Sequence, residues 1–537
     1  MTALKISGRE PQNGGTLRSP SPTAVAFRAL SLAARPLVLL VGSALCLTAP
    51  ARAHVGSPDV YAEGQAGPYN LSIVIRPPLV IPGVADIEVR AKTPGLDRIT
   101  VTPVPLTGEA AKRPPVPDVM ERPSTDPQFY TAHLWIMATG SWQIRFAASG
   151  SQGSGTLSIP FPAAAMSTRK MQFGLGAFLA VLGAFLVLGM IGIVGAAARE
   201  AKLPPGEVLT APGRSRGYLA MSMTFALLVA AVILGNAWWK SEADAYSGYI
   251  YKPLDMNATL GQGNVLDLKL RDPGWVQQRK LDDWIPDHNH LMHLYMIRWP
   301  QMDVVFHLHP DPVATGEFQL ALPSLPAGDY RLYADVVHAI GFPETIVGNV
   351  ALPQISGRPL EGDDAEGKAS PLGASPAGET AEQPGSEKRF HLPDGYTMVW
   401  KRPAQLIPKA AANFQFALLG PDGTPPSDMK LYMGMLGHAA FVKTDGTVFA
   451  HIHPTGTVAM AAFMMANPQS REQGTGGSQM SMHDMPGMDS SPGALPNTVG
   501  FPYGFPSPGQ YRIFVQMKHG NNVETGIFDA DVANAAK

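Results

Sequence analysis

Val304-Val-Phe-His307-Leu-His309-Pro310 and Val448-Phe-Ala-His451-Ile-His453-Pro454 are two versions of one segment, and they decide the architecture. Each follows a strand-like stretch opening on histidine, His293-Leu-Tyr-Met-Ile in one copy and His438-Ala-Ala-Phe-Val in the other. Each precedes a Gly-x-Tyr-Arg segment and a further histidine at identical offsets. These are Gly328, Tyr330, Arg331 and His338 in the first copy, and Gly509, Tyr511, Arg512 and His519 in the second. Glu344-Thr345 and Glu524-Thr525 close the pattern. Spacing kept across so many residue types marks an internal duplication, so 246–355 and 391–537 are expected to be two copies of one domain.

In a strand, residues i and i+2 project from the same face. His307 with His309, and His451 with His453, are therefore expected to aim together. The neighbouring strand would add His293 or His438, and the strand after Gly-x-Tyr-Arg would add His338 or His519. The first copy also carries His288 and His290. Three or four imidazoles per copy is the ligand number that zinc or copper needs. The alternative is a fold signature, with His-Pro at a strand end and the rings hydrogen-bonded to backbone. Whether the copies share one site or hold two stays open.

The chain has 537 residues, room for several domains. Lys+Arg 41 against Asp+Glu 43 gives a net charge of -2, so no basic face for nucleic acid is expected. The one cysteine, Cys46, falls in the leader, which leaves histidine, methionine and carboxylates as metal ligands. The first 53 residues carry Lys5, Arg9, Arg18, Arg28 and Arg35, an apolar run from Pro36 to Thr48, and Ala51-Arg52-Ala53. That is the pattern of a cleaved signal peptide, with His54 as the mature N-terminus.

Residues 54–168 show short alternating runs at Tyr69–Ile75, Ala85–Arg90, His133–Met137 and Trp142–Phe146, which predict a small β-sandwich. Uncharged apolar runs at 171–198 and 217–239 are each long enough to cross the ~30 Å of bilayer hydrocarbon. Arg199, Lys202, Arg214 and Arg216 place the connecting loop 199–216 in the cytoplasm. Gly183, Gly189, Gly192 and Gly195 are expected to pack one span on the other. Residues 356–390, rich in Gly, Pro, Ser, Ala and acidic residues, read as a flexible linker. The fold class expected is mainly β. One N-terminal and two repeated C-terminal Ig-like β-sandwich domains lie in the periplasm, anchored in a bacterial inner membrane by a two-helix transmembrane hairpin.

Two further features concern metal identity. Met480-Ser-Met482-His483-Asp-Met485-Pro-Gly-Met488 sets thioethers among polar residues, and soft sulfur selects Cu(I) over zinc. It resembles the methionine-rich segments of periplasmic copper-resistance and copper-oxidase proteins. Met429, Met433 and Met435 either add sulfur ligands or pack a strand. A free amine on His54 could chelate copper together with its own imidazole and His133. This resembles the N-terminal site of CopC-like proteins and of copper monooxygenases. Tyr130 to Trp142 resembles part of FixH/YtkA-like exported domains, and the repeated His-x-His-Pro segment resembles uncharacterised bacterial exported proteins.

Gly-x-Ser-x-Gly, P-loop, His-Glu-x-x-His and Cys-x-x-Cys patterns are absent from the sequence, so a hydrolase or ATP-driven pump has no support. The expectation is a binding protein for copper, with zinc as the alternative, whose partners are the metal ion, the lipid bilayer and a periplasmic cuproprotein or oxidase. The other readings are an adhesion or assembly module with structural histidines, and a metal-dependent enzyme of unknown reaction.

Overall fold

The computed structural model of the chain describes residues 58–209, 211–275, 279–373, 387–468 and 495–533. His54 and the methionine segment with Met480, Met482, His483, Met485 and Met488 lie outside them. The described chain is rich in β-structure, with six sheets and two long helices.

The N-terminal part holds two antiparallel sheets. One runs Val60–Ala66, Tyr69–Arg76, Gly83–Ala91, Phe129–Ile136, and the other Asp118–Val119, Leu96–Pro105, Gly140–Gly150, Gly153–Ala163. All four strands expected there form. In Gly83–Ala91, Ala85, Ile87, Val89 and Ala91 turn inward while Asp86 and Arg90 face water, the period of two that one buried face imposes. Ile73, Ile87 and Val89 from the first sheet share a core with Ile99, Ile144 and Ile159 from the second.

The helices Phe173–Glu200 and Ala211–Ser247 are both long and apolar enough to cross a membrane. They approach closely at Gly195 and Gly217. A Cβ on Gly195 would strike the Met221 side chain, and one on Gly217 would come within 3.2 Å of Arg199 Cβ. Gly183, Gly189 and Gly192 meet nothing within 4 Å. Of the four glycines expected at the contact, only Gly195 makes it, because close approach falls next to the connecting loop.

The duplication appears in the sheets. In the first repeat His293–Arg298 is flanked by Val304–Leu308 and Gly328–Val337, and in the second His438–Lys443 is flanked by Phe449–Ile452 and Gly509–His519. Leu294, Met296, Phe306 and Leu308 point into the first repeat's own core. Tyr295, Ile297 and Val305 point the other way and pack on Ala440, Val442 and Phe449 of the second repeat. The two sheets thus meet outer face to outer face. A strand buried on both sides carries near-continuous apolar sequence, which is what His293–Arg298 and His438–Lys443 show.

The linker expected over 356–390 is only partly one. Ala365–Lys368 adds to the edge of the first repeat's sheet, pairing with Val304–His307. Glu387–His391 is a strand of the second repeat. Backbone pairing at a sheet edge asks little of side chains, so a segment rich in glycine and acidic residues can supply it despite lacking periodicity. The part after His453 docks on the N-terminal sheets. Glu63 N donates to Thr455 O (2.9 Å) and Thr457 N to Tyr61 O (2.9 Å). Gly456, at φ 119°, has no room for a Cβ beside the Tyr61 carbonyl, so only glycine fits this crossing.

Candidate metal centre

The outward face that carries Tyr295, Ile297 and Val305 continues to His293, His307 and His309. The second repeat's face continues likewise to His438, His451 and His453. Because the faces pack together, the two sets meet. His288 and His290, from the turn before His293, join them. The eight rings form one connected cluster, with centroids 4.9 Å apart for His288 and His438, 5.4 Å for His293 and His451, 5.6 Å for His307 and His451, and 3.8 Å for His290 and His309. Two triads have ligand nitrogens within 4.8 Å of one another: His293, His307 and His309, and, spanning the repeats, His288, His438 and His453. The histidines of the two copies meet in one cluster.

The rings are held from behind across the pseudo-symmetric interface. His307 Nδ1 meets Gln516 Oε1 of the other repeat at 2.8 Å, and His451 Nδ1 meets Asp335 Oδ2 of the other repeat at 3.2 Å. Gln516 and Asp335 occupy the same offset, three residues before His519 and His338. His309 Nδ1 faces Asp364 Oδ1 (3.1 Å), His453 Nδ1 the Val458 carbonyl (3.2 Å), and His288 Nδ1 the Met433 carbonyl (2.8 Å). An acceptor behind Nδ1 fixes the proton there and leaves the Nε2 lone pair facing inward. Nε2 of His288, His309, His451 and His453 is buried with no hydrogen-bond partner, as are both nitrogens of His438.

His293 and His307 show the same demand. His293 Nε2 donates to the Asp287 carbonyl at 3.0 Å, so its Nδ1 is a lone pair. That lone pair stands 3.2 Å from His307 Nε2, itself bare once Nδ1 donates to Gln516. A cation between the rings meets this contact, as does a proton on His307 Nε2 when Gln516 turns its amide N–H toward His307 Nδ1. Burial, followed by the neighbouring imidazoles, pushes the pKa of His293, His307 and His438 well below the ordinary histidine value. His453 shifts likewise, and His288 and His309 are lowered. Neutral imidazole is the ligand form. A buried polar atom left unpaired costs about 1–3 kcal/mol. Six such atoms would consume much of the roughly 5–15 kcal/mol that holds a domain folded, so the cluster calls for a partner the protein itself does not supply.

His338 and His519, expected in this cluster, are elsewhere. Strand register sets Asp335 opposite His293 and Gln516 opposite His438, so the two histidines lie three residues too far along. Each sits instead between two carboxylates. His338 Nδ1 meets Asp283 Oδ1 (2.7 Å) and its Nε2 meets Glu344 Oε2 (3.2 Å). His519 Nδ1 lies 3.5 Å from Asp428 Oδ2, and its Nε2 lies 3.2 Å from Glu524 Oε1. His133 is exposed and pairs with Asp86 on the N-terminal sheet (2.7 Å), away from the cluster. Met429 packs in the second repeat's core and Met435 in the N-terminal core.

Sequence reading missed the orienting groups Asp335, Gln516 and Asp364. It also missed that Met433 and Met435 are the counterparts of His288 and His290. His288 and Met433 both take positive φ (49° each), and the bridges Asp287↔His290 and Tyr432↔Met435 close equivalent turns. Aligning the copies upstream of His293 and His438 would have shown this, and would also have paired Asp283 with Asp428.

A family profile described as a domain of unknown function (DUF8832) matches residues 390–534, which is the second repeat. No curated protein matches the chain. Among solved structures, a host-surface retention structure of a 1.5-MDa bacterial ice-binding adhesin is 6% identical, covering 90% of this chain and 100% of that one, at TM-score 0.14. The BSP domain of a biofilm-associated protein is 7% identical (91% and 68% covered, TM-score 0.14). Trypsin-activated alpha-2-macroglobulin from Escherichia coli is 9% identical (89% and 24% covered, TM-score 0.16). Likeness at these TM-scores decides nothing about fold or function.

Proposed function

We propose that this chain is a membrane-anchored periplasmic protein that binds copper in the histidine cluster shared by its repeats, for tolerance, storage or delivery to a cuproprotein or oxidase. On this reading the six sheets are three Ig-like sandwiches, residues 1–53 are a signal peptide, and the loop 199–216 is cytoplasmic. The observation that carries the metal is the set of buried, unpartnered Nε2 atoms whose Nδ1 partners hold them facing one another. Imidazole suits copper and zinc alike, and the methionines between 480 and 488 favour copper. Metal–nitrogen bonds of 2.0–2.1 Å set nitrogens about 3.4 Å apart, and the 3.2 Å between His293 Nδ1 and His307 Nε2 is already at that spacing.

A cavity of about 180 Å³, lined by Asp287, His293, Asp335, His451, His453 and Phe342, gives the cluster a path to solvent. That path suits a site that exchanges its ion. It also supports a second reading, a metal-dependent enzyme, in which a small substrate would reach the ion.

The test is metal analysis by plasma mass spectrometry of the full chain in detergent, isolated from cells grown with balanced copper and zinc. A variant with His307, His309, His451 and His453 changed to Ala is measured beside it. One to two copper ions per chain, lost in the variant, is expected. Zinc in their place would keep the site and overturn copper. No metal in either folded protein would overturn the proposal in favour of an interaction module.

A further inference from the structure

The two carboxylate–histidine–carboxylate groups are equivalent in the duplication but are neutralised differently. In the first repeat the positive charge is built in. Arg279, with its side chain 1% exposed, donates to Glu344 Oε1 and to Asp272 Oδ1, both at 2.7 Å. Glu344 Oε1 also accepts from Tyr251 Oη (2.8 Å) and Leu254 N (2.7 Å), so the carboxylate is saturated. Trp284 lies against the His338 ring at 4.6 Å.

The second repeat keeps the scaffold and lacks the arginine. Tyr396 stacks on His519 at 4.0 Å, where Trp284 makes a tilted contact with His338. A third carboxylate, Asp394, comes within 3.8 Å of His519 Nε2, the nitrogen that Glu524 Oε1 approaches to 3.2 Å. Among the described residues no lysine or arginine pairs with Asp394, Asp428 or Glu524. Asp394 is fixed by its own turn, where Oδ1 accepts from Tyr396 N (3.1 Å), leaving Oδ2 toward His519. His519 is only 5% exposed and its Nδ1 makes no hydrogen bond. Three carboxylates converging on one buried imidazole is an arrangement that a cation resolves, and the first repeat shows the same scaffold resolved by one.

We propose that the second repeat carries a divalent-cation site, separate from the shared cluster. His519 Nε2, Glu524 and Asp394 are its ligands, and Asp428 is the carboxylate behind the imidazole. One nitrogen and two carboxylate oxygens suit a borderline ion such as zinc, with a coordination position left open. Asp428 would accept a hydrogen bond from Nδ1–H once Nε2 binds metal, the usual arrangement behind a metal-bound histidine.

The probe is zinc alone, dialysed to equilibrium against the chelator-stripped full chain in detergent. Wild type is compared with Asp394→Asn/Glu524→Gln, and with Glu344→Gln as the first-repeat control. Wild type and the control should each hold one zinc per chain more than the double variant, which in a separate copper titration should fill the shared cluster to the wild-type value. Asp428→Asn should keep that zinc with a dissociation constant raised 10–100-fold. Asp394→Asn alone, a change in an exposed turn, gives the same reading if the double variant folds poorly. Equal zinc in wild type and Asp394→Asn would overturn the site. Loss of copper from the cluster variant leaves this difference untouched, so the two proposals fail separately.

Discussion

His338 and His438 are equally buried, at 1% and 0% exposure, yet their surroundings are opposite. Both nitrogens of His338 meet carboxylates, and a buried arginine balances the charge. Neither nitrogen of His438 meets a hydrogen-bond partner, and the imidazoles of His451 and His453 beside it are bare at Nε2. Burial therefore does not separate a structural histidine from a ligand. What separates them is whether the protein completes the hydrogen bonds itself. The first site is closed by its own residues and has nothing left to bind. In the second the neighbouring rings are held through Nδ1 and bare at Nε2, and His438 is bare at both nitrogens, which costs stability and, on the proposed reading, suits the cluster to an ion.

The largest expected effect comes from acid. Burial holds His288, His293, His307, His309, His438 and His453 below their ordinary pKa. Above pH about 6.5 these groups are neutral folded and unfolded, and they contribute nothing. As pH falls below about 6.5 the unfolded chain takes up protons that the folded chain refuses, so stability falls with pH. Each group costs up to about 1.4 kcal/mol per unit until its folded pKa is reached. Thermal melts of the stripped chain should drop steeply between pH about 6.5 and 5, and copper loading should hold the melting temperature up over that window. A flat profile would mean the rings find protein partners, which would erase the contrast with His338.

Next in size is Glu344→Gln. It leaves buried Arg279 with Asp272 as its one remaining carboxylate, a loss of up to about 3–5 kcal/mol, read as a lower denaturation midpoint with copper per folded chain unchanged. The second-repeat counterpart, Glu524→Gln, removes one of several crowded carboxylates and should cost the metal-free chain far less. If the two variants lose equal stability, the first site's built-in cation does not distinguish them.

The duplication, both membrane-length helices, four N-terminal strands and all eight clustered histidines were readable in the sequence, six of the histidines from the repeat and His288 and His290 as extra donors beside it. Their meeting place was not. Period-two alternation says that His307 and His309 share a face, but not whether that face looks toward the domain's own core or a neighbour. Only the continuous apolar run in Tyr295 to Ile297 and Ala440 to Val442, buried on both faces, hinted at a partner sheet. Register decided against His338 and His519, and register between distant strands has no local signal. Asp364 was hidden because composition marked its segment as linker, whereas edge pairing uses backbone that composition does not describe.

The cross-repeat orienting bonds give the smallest effect and the sharpest discrimination. Asp335 and Gln516 touch the histidines of the opposite repeat, and neither lies in either histidine triad. Asp335→Asn and Gln516→Leu should therefore leave the fold and the number of bound ions intact. Each should weaken copper binding 10–100-fold, about 1.4–2.7 kcal/mol, by freeing one ring to turn. Competition against a copper chelator of known affinity measures this directly. His133→Ala, on the exposed N-terminal sheet, should change neither affinity nor stability beyond about 0.5 kcal/mol. If Asp335→Asn behaves like His133→Ala, the bond behind His451 is packing alone. A loss confined to Gln516→Leu would place the ion in the His293, His307 and His309 triad rather than between the repeats.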